Sequence, residues 1–250
     1  MHVCNSNWNV LLNNYNFWKV SELSKSYLCS SMTAPIPHII NKHTFWLSPA
    51  RIAYWETQQA LVVSDLHFGK TGHFRKHGIA VPQGVFREDM QRLMHQVMHF
   101  RPRQVIAVGD LFHSKENKEI DLFMKWRMDI QDVEFRLVEG NHDILSADHY
   151  KRLGITVHKD CYQVDDIAFV HDPAACSTDE NVYTISGHLH PGILISGLAK
   201  QQLRFPCFYF GKNLAVLPAF SDFSGLSLID PCTSDDVYAI VNQSLIKIAC

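Results

Sequence analysis

Apolar residues along this chain fall in short continuous runs, and the same few residue types close each run. Leu61-Val62-Val63 leads into Ser64-Asp65-Leu66-His67, Val105-Ile106-Ala107-Val108 into Gly109-Asp110, and Phe135-Arg136-Leu137-Val138 into Glu139-Gly140-Asn141-His142-Asp143. Further on, Ile167-Ala168-Phe169-Val170 stops at His171-Asp172, and Val182-Tyr183-Thr184-Ile185 stops at Ser186-Gly187-His188-Leu189-His190. A short apolar run bounded by turn residues predicts a strand buried on both faces, as in a sheet covered by other elements. In open α/β sheets ligands bind beyond the carboxyl ends of the strands. Five such strands would deliver Asp, His and Asn side chains to one edge.

The rest of the pattern builds a frame around them. Three short strands are predicted at Thr44–Leu47, Ile52–Trp55 and Ala60–Val63, separated by turns at Ser48-Pro49 and Thr57-Gln58. Residues 67 to 81 have no period and carry Lys70, His73, Arg75, Lys76 and His77 among glycines, which reads as a basic loop. A helix begins at Pro82, with Phe86, Met90, Leu93, Met94 and Val97 recurring as one core-facing stripe. A second runs from Glu116 to about Gln131, with Ile120, Phe123, Met124 and Trp126 among its apolar residues, and a short third spans Ala147 to Leu153. Between and beyond them the expected strands are 133–138, Ile155–His158, Cys161–Val164, Phe205–Phe210, Leu214–Leu217 and Val237–Ile240. A βαβαβ first half followed by a mostly β second half suggests two facing sheets with helices outside.

Composition narrows the setting. With 250 residues and 46% hydrophobic side chains, the chain can bury a sizeable core, and one domain over residues 32–250 is expected. Residues 1–31 are rich in Asn and Ser interleaved with aromatics and lack the pattern of a signal peptide. Met32 is the expected working start, which makes 1–31 a poorly ordered or artefactual extension. Formal charge is -2 and the pI about 6.7, so no global basic field draws the chain to nucleic acid, and any such contact must come from a local patch. Seven scattered cysteines, odd in number and without a C-x-x-C pair, fit reduced thiols in the cytoplasm. Cys207 among them reads as a small buried hydrophobe with no activating partner. No stretch reaches the ~18 apolar residues of a membrane span, so a soluble cytoplasmic protein is expected.

The strand ends together hold Asp65, His67, Asp110, Asn141, His142, His171, His188 and His190. Carboxylate, imidazole and amide oxygen without thiolate suit divalent Mn²⁺, Fe²⁺, Co²⁺ or Zn²⁺. Paired ions work ~3.5–4 Å apart, and a carboxylate is the group that joins them closely while neutralising charge. Asp110 is the expected bridge.

The set resembles the calcineurin-like metallophosphoesterases, whose D-x-H, G-D, G-N-H-[DE], lone H and G-H-x-H stand here in order. They are Asp65-Leu66-His67, Gly109-Asp110, Gly140-Asn141-His142-Asp143, His171 and Gly187-His188-Leu189-His190. The resemblance implies an α/β fold of the α+β kind, a four-layer αββα sandwich of two mixed sheets flanked by helices. It also implies two divalent ions, Mn²⁺ first and Fe, Zn, Co or Mg as alternatives. Asp65, His67 and His190 would hold one, Asn141, His171 and His188 the other, and Asp110 both. His142 would contact the scissile phosphate and protonate the leaving oxygen, with Asp143 orienting its ring, while a hydroxide bridging the ions attacks phosphorus.

Further stretches are similar to the bacterial ligase-associated DNA damage response endonuclease family, PdeM. These are Ser64 to Lys70, Phe74-Arg75-Lys76-His77-Gly78-Ile79 with Pro82, Gly109 to Ser114, Gly187 to Pro191, Leu203-Arg204-Phe205-Pro206-Cys207-Phe208 and Leu217-Pro218-Ala219-Phe220. That resemblance implies a nuclease in DNA repair, with DNA as substrate and DNA ligase or other repair proteins as partners. Lys70, Arg75, His113 and Arg204 are then the expected substrate contacts. The acidic pI favours an alternative substrate, a nucleotide or other small phosphoester. A third reading, a non-catalytic binding scaffold, is disfavoured because every ligand position is filled.

Overall fold

The structure is a computed structural model, described for residues 33–70, 84–113, 118–174, 181–196 and 201–249. The predicted basic loop beyond Lys70, the helix start at Pro82 and residues 1–31 lie outside these.

The first sheet has seven strands in sequence order: β1 (Ile36–Ile40), β2 (His43–Ser48), β3 (Ile52–Trp55), β4 (Ala60–Ser64), β5 (Gln104–Val108), β6 (Glu134–Val138) and β7 (Ile155–His158). β1 to β4 form an antiparallel meander, whereas β4 to β7 are parallel. Parallel neighbours need crossovers. Helices α1 (Val85–Phe100), α2 (Lys118–Asp129) and α3 (Ala147–Arg152) lie within them. All three cover one face: Phe86, Met90, Leu93 and Val97 of α1, Phe123 and Trp126 of α2, and Tyr150 of α3 pack with Leu61, Val63, Val105, Ala107, Phe135 and Leu137. The alternate residues Val62, Ile106 and Val108 turn the other way into a second cluster between the sheets. Both faces are thus buried, which is why these strands are apolar without alternation. Each such side chain contributes ~1.5–3 kcal/mol on burial.

The second sheet comprises β8 (Tyr162–Val164), β9 (Ile167–Val170), β10 (Tyr183–Ser186), β11 (Pro191–Ser196), β12 (Gln202–Phe210), β13 (Leu214–Val216), β14 (Ser227–Leu228), β15 (Asp236–Val241) and β16 (Ser244–Ile248). Its order is β14-β11-β12-β13-β10-β9-β8, with β15 paired to β12 and β16 to β15. β9, β10 and β13 are parallel, and Phe169, Ile185, Phe208, Phe210 and Ala215 face the first sheet.

The α/β class and the two mixed sheets are as expected. Among the described residues, however, every helix lies outside the first sheet. The layers formed by the described residues run helices, first sheet, second sheet. The far face carries a small cluster of Ile193, Cys207, Val237 and Ala239 under Ile229, and the Tyr209 hydroxyl donates to Asp235 there.

Four strands escaped the sequence pattern. β1 contains Pro37, which an edge strand tolerates, and β1 is an edge. β11 follows the G-H-L-H motif directly, with Pro191-Gly192 reading as turn rather than strand; β14 has two residues, and β16 is half exposed. On α2, Phe123 and Trp126 are fully buried but Met124 is exposed.

Candidate metal centre

The carboxyl ends of β4, β5, β6, β9 and β10 converge, as five apolar runs in parallel sheets require. Asp65 and His67 follow β4, Asp110 follows β5, Asn141 follows β6, His171 follows β9, and His188 and His190 follow β10. Of these seven residues, Asp65, His67, Asp110, His188 and His190 have left-handed backbone, with φ of 52°, 50°, 51°, 66° and 49°. Asp and His tolerate this region better than most residues. Such conformations persist where the surroundings over-determine them, and they cluster at ligand sites.

Backbone bonds zip the first two loops together. His67 N donates to the Asp110 carbonyl (2.8 Å), Phe68 N to Leu111 O (2.9 Å) and His113 N to Phe68 O (2.8 Å). The Glu119 carboxylate on α2 accepts from Gly69 N at 2.6 Å, a support with no sequence motif to announce it. The other loops are tied to the ligand carboxylates themselves. His188 N donates to both Asp65 oxygens (3.2 and 3.0 Å), and His142 N donates to Asp110 Oδ1 (2.9 Å). Two glycines make room for this. A Cβ on Gly187 would lie 2.7 Å from Asp65 Oδ2 and 2.8 Å from Val108 O, and one on Gly140 would collide with the Asp110 amide and carboxylate.

Ligand atoms gather in two overlapping sets, Asp65 with His67 and His190, and Asp65 with Asp110 and His171, each within 4.8 Å. Neighbouring pairs are 3.0 Å (His171 Nε2 to Asn141 Oδ1), 3.1 Å (His188 Nδ1 to His171 Nε2), 3.3 Å (His67 Nε2 to His190 Nε2), 3.3 Å (His190 Nε2 to Asp65 Oδ1) and 3.4 Å (His171 Nε2 to Asp110 Oδ1). Metal–ligand bonds of ~2.0–2.2 Å put adjacent ligands about 2.9–3.5 Å apart, so these gaps match the edges of a coordination shell.

The chemistry of the donors agrees. His171 Nδ1 lies 3.3 Å from the Val108 carbonyl. A proton there leaves Nε2 as a lone pair aimed at the Asn141 carbonyl oxygen, another acceptor. In that tautomer a cation between the two atoms would satisfy both of them. Burial, helped by Lys70, His190, His113 and His142, pushes His67 down to about 2, which keeps its imidazole neutral, and its buried Nδ1 has no hydrogen bond. Neutral imidazole is the ligating form. Lys70 is half buried beside these groups; burial lowers its pKa against the pull of Asp110 and Asp65. The residues present therefore fit divalent ions.

Asp110 presents Oδ1 to His171 Nε2 at 3.4 Å, and its Oδ2 lies 3.8 Å from His67 Nδ1, not the ring nitrogen that meets His190. His142 stands outside the ligand set on the open side. Its side chain is 43% exposed, its Nε2 lies 4.0 Å from Asp110 Oδ2, and its ring centroid is 4.4 Å from that of His113.

Asp143 departs from expectation. Its carboxylate does not orient the His142 ring; Oδ1 accepts from Leu111 N (2.9 Å) and Phe112 N (3.1 Å), and Oδ2 from Gly140 N (2.9 Å). It binds the loop after β5 to the loop after β6, and so acts on Asp110 through the backbone. Burial pushes its carboxyl up to about 7 against the pull of those N–H groups. Of the expected substrate contacts, His113 and Lys70 sit at the centre. Arg204 is exposed on β12, opposite Leu194, and takes no part in the ligand cluster. Arg75 lies outside the described residues. Cys207 is buried in the outer cluster, as expected.

The calcineurin-like phosphoesterase family model matches residues 59–222, a span that contains every one of these ligands. The chain belongs to the calcineurin-like phosphoesterases. As a member of that family it is a metal-dependent phosphoester hydrolase. Among solved structures, it is similar to nuclease MPE of Pseudomonas putida at 25% identity and a TM-score of 0.73, over 86% of this chain and 100% of that one. The E. coli phosphoesterase Yfce matches at 14% identity and a TM-score of 0.42, over 76% of this chain and 98% of that one. No curated protein matches the sequence. No helix among the described residues is long and apolar enough to cross a membrane.

Proposed function

We propose that this phosphoesterase is a two-metal phosphodiesterase acting on DNA, in the cytoplasm and in DNA repair, where DNA ligase or other repair proteins would be its partners. Asp65, His67 and His190 would hold one ion, Asn141, His171 and His188 the other, and Asp110 would serve both. Mn²⁺ suits a donor set of carboxylate, imidazole and amide oxygen without thiolate. The observation that carries the two-ion reading is the pair of overlapping ligand sets, Asp65 with His67 and His190 and Asp65 with Asp110 and His171. Bound ions would neutralise phosphoryl charge and supply an activated water. The protein's own groups do the rest. His142, on the open side, hydrogen-bonds the scissile phosphate and delivers a proton to the leaving oxygen. His113 and Lys70 add positive or hydrogen-bonding groups beside it. The similarity to a nuclease over 86% of the chain supports a nucleic-acid substrate.

The test is a side-by-side assay with Mn²⁺ on single-stranded, nicked and branched DNA and on a nucleotide panel, at two salt concentrations. Cleavage of DNA that weakens as salt rises is expected. Hydrolysis of nucleotides alone would replace the DNA reading with that of a small-phosphoester hydrolase, which the pI of about 6.7 favours.

A further inference from the structure

The segment from Leu217 to Asp222 crosses behind the metal centre and ties the two sheets together. Leu217 N donates to Ser186 O (2.8 Å), two residues before His188. Phe220 N donates to Ser64 O (2.8 Å) and Ser221 N to the Asp65 carbonyl (3.2 Å), while Ser64 Oγ donates to Pro218 O (3.2 Å). The crossing therefore holds the main chain of Asp65, a ligand from the first sheet, and of the strand that leads into His188, a ligand from the second.

The crossing is itself gripped from outside. Arg51, in the β2–β3 turn, donates through Nη1 to Ala219 O (3.3 Å) and Ser221 O (3.0 Å). Arg92, midway along α1, donates through Nη2 to Phe220 O and stacks its guanidinium 4.3 Å over the fully buried Phe220 ring. Three successive carbonyls are thus capped by two guanidinium groups. Both also pair with Asp222, Arg51 at 2.6 Å and Arg92 at 2.7 Å, and Arg92 reaches the buried Asp89 at 2.8 Å. Burial would raise the Asp222 carboxyl, but the two guanidinium groups outweigh it and hold it below the usual range.

We propose that Arg92, seconded by Arg51, is a positioning residue for the metal centre: by fixing the 217–222 crossing it holds the Asp65 backbone in its left-handed turn and so sets metal affinity. The proposal rests on the reading of Asp65 as a ligand. A guanidinium is required because one planar group serves a carbonyl, two carboxylates and an aromatic face at once, which an ammonium cannot do.

Arg92→Lys and Asp222→Asn are compared with wild type and with Arg136→Lys, which disturbs a pair with Glu134 at 2.6 Å on the opposite part of the first sheet. Mn²⁺ binding is followed by titration calorimetry, and amide exchange of Phe220 and Ser221 in the metal-free protein by NMR. Loss of a group supporting a ligand typically costs 10–100-fold in metal affinity. We expect Arg92→Lys to weaken Mn²⁺ binding ~10-fold or more and to speed exchange of both amides. Asp222→Asn should move both in the same direction by less, and Arg136→Lys neither. Equal Mn²⁺ affinity in Arg92→Lys and wild type overturns the proposal, as does a loss no larger than that of Arg136→Lys. If Arg92→Lys does not fold, the Asp222→Asn comparison decides alone. Failure of the wild type to bind Mn²⁺ more tightly than an Asp65→Asn variant would instead sink the metal-centre reading.

Discussion

Gly187→Ala is the most incisive single test of how the ligand cluster is built. The new Cβ would stand 2.7 Å from Asp65 Oδ2, 2.8 Å from Val108 O and 2.9 Å from Ser64 Cβ. Ordinary contact begins near 3.4 Å, so something must yield by about 0.7 Å. Val108 O and the Ser64 Cβ belong to sheet strands, which leaves the Asp65 carboxylate as the group with freedom to move. Displaced by that much from a bond of ~2.0–2.2 Å, a carboxylate oxygen leaves the coordination shell. The two bonds that His188 N donates to it are also stretched. We expect Mn²⁺ affinity to fall ~100-fold, about 2.7 kcal/mol, with an overpacking cost of ~1–3 kcal/mol on folding. Gly225→Ala is the control, because a Cβ there has nothing within 4 Å. Calorimetric Mn²⁺ titration and thermal melts on both variants make the comparison. A folded Gly187→Ala protein that binds Mn²⁺ like wild type would show that Asp65 does not sit where its ligand role demands.

Three further outcomes are expected. His142→Ala should keep wild-type Mn²⁺ stoichiometry yet lose ~10²–10⁴ in turnover of bis-p-nitrophenyl phosphate, the range for a positioned proton donor; undiminished turnover would remove His142 from the chemistry. Burial pushes the Cys207 thiol up to about 12, so a thiol reagent at pH 8 should label the exposed Cys161 and Cys232 in the folded protein and spare Cys207 until denaturant is added. Burial also pushes the Asp89 carboxyl up to about 7, against the pull of Arg92. Its folded value lies above its ordinary 3.8, so the folded state holds a proton that the unfolded state releases, and stability from this group declines as pH rises from about 4 to about 7. Asp89→Asn should flatten that decline in urea titrations, and parallel pH profiles would refute the assignment.

Much of the centre could be read directly because ligand chemistry and strand burial coincide in sequence. Asp65, Asp110, Asn141, His171 and His188 each follow an apolar run closely, and runs buried on both faces need only local neighbours to declare themselves. What escaped is carried by main-chain atoms or by distant partners. Asp143 looked like a partner for the adjacent histidine, but its oxygens are taken by Leu111, Phe112 and Gly140 amides, and backbone donors leave no trace in residue type. Arg51 and Arg92 were ordinary surface cations in sequence, since their targets are carbonyls more than a hundred positions away. The edge strands β1 and β16 were missed for a different reason: burial on one side gives a weak pattern.

The crossing at 217–222 also has a bearing on synthesis. Asp65 is made early, but the amides that hold its backbone, Phe220 and Ser221, emerge from the ribosome some 155 residues later. His171, His188 and His190 arrive only in between. Domains form progressively as chains grow, yet a nascent chain stopped short of residue 217 would carry all seven of the ligand residues without the strap proposed to set the first of them. If the strap sets Asp65 as proposed, translation products that end before residue 217 should be inert rather than loosely active.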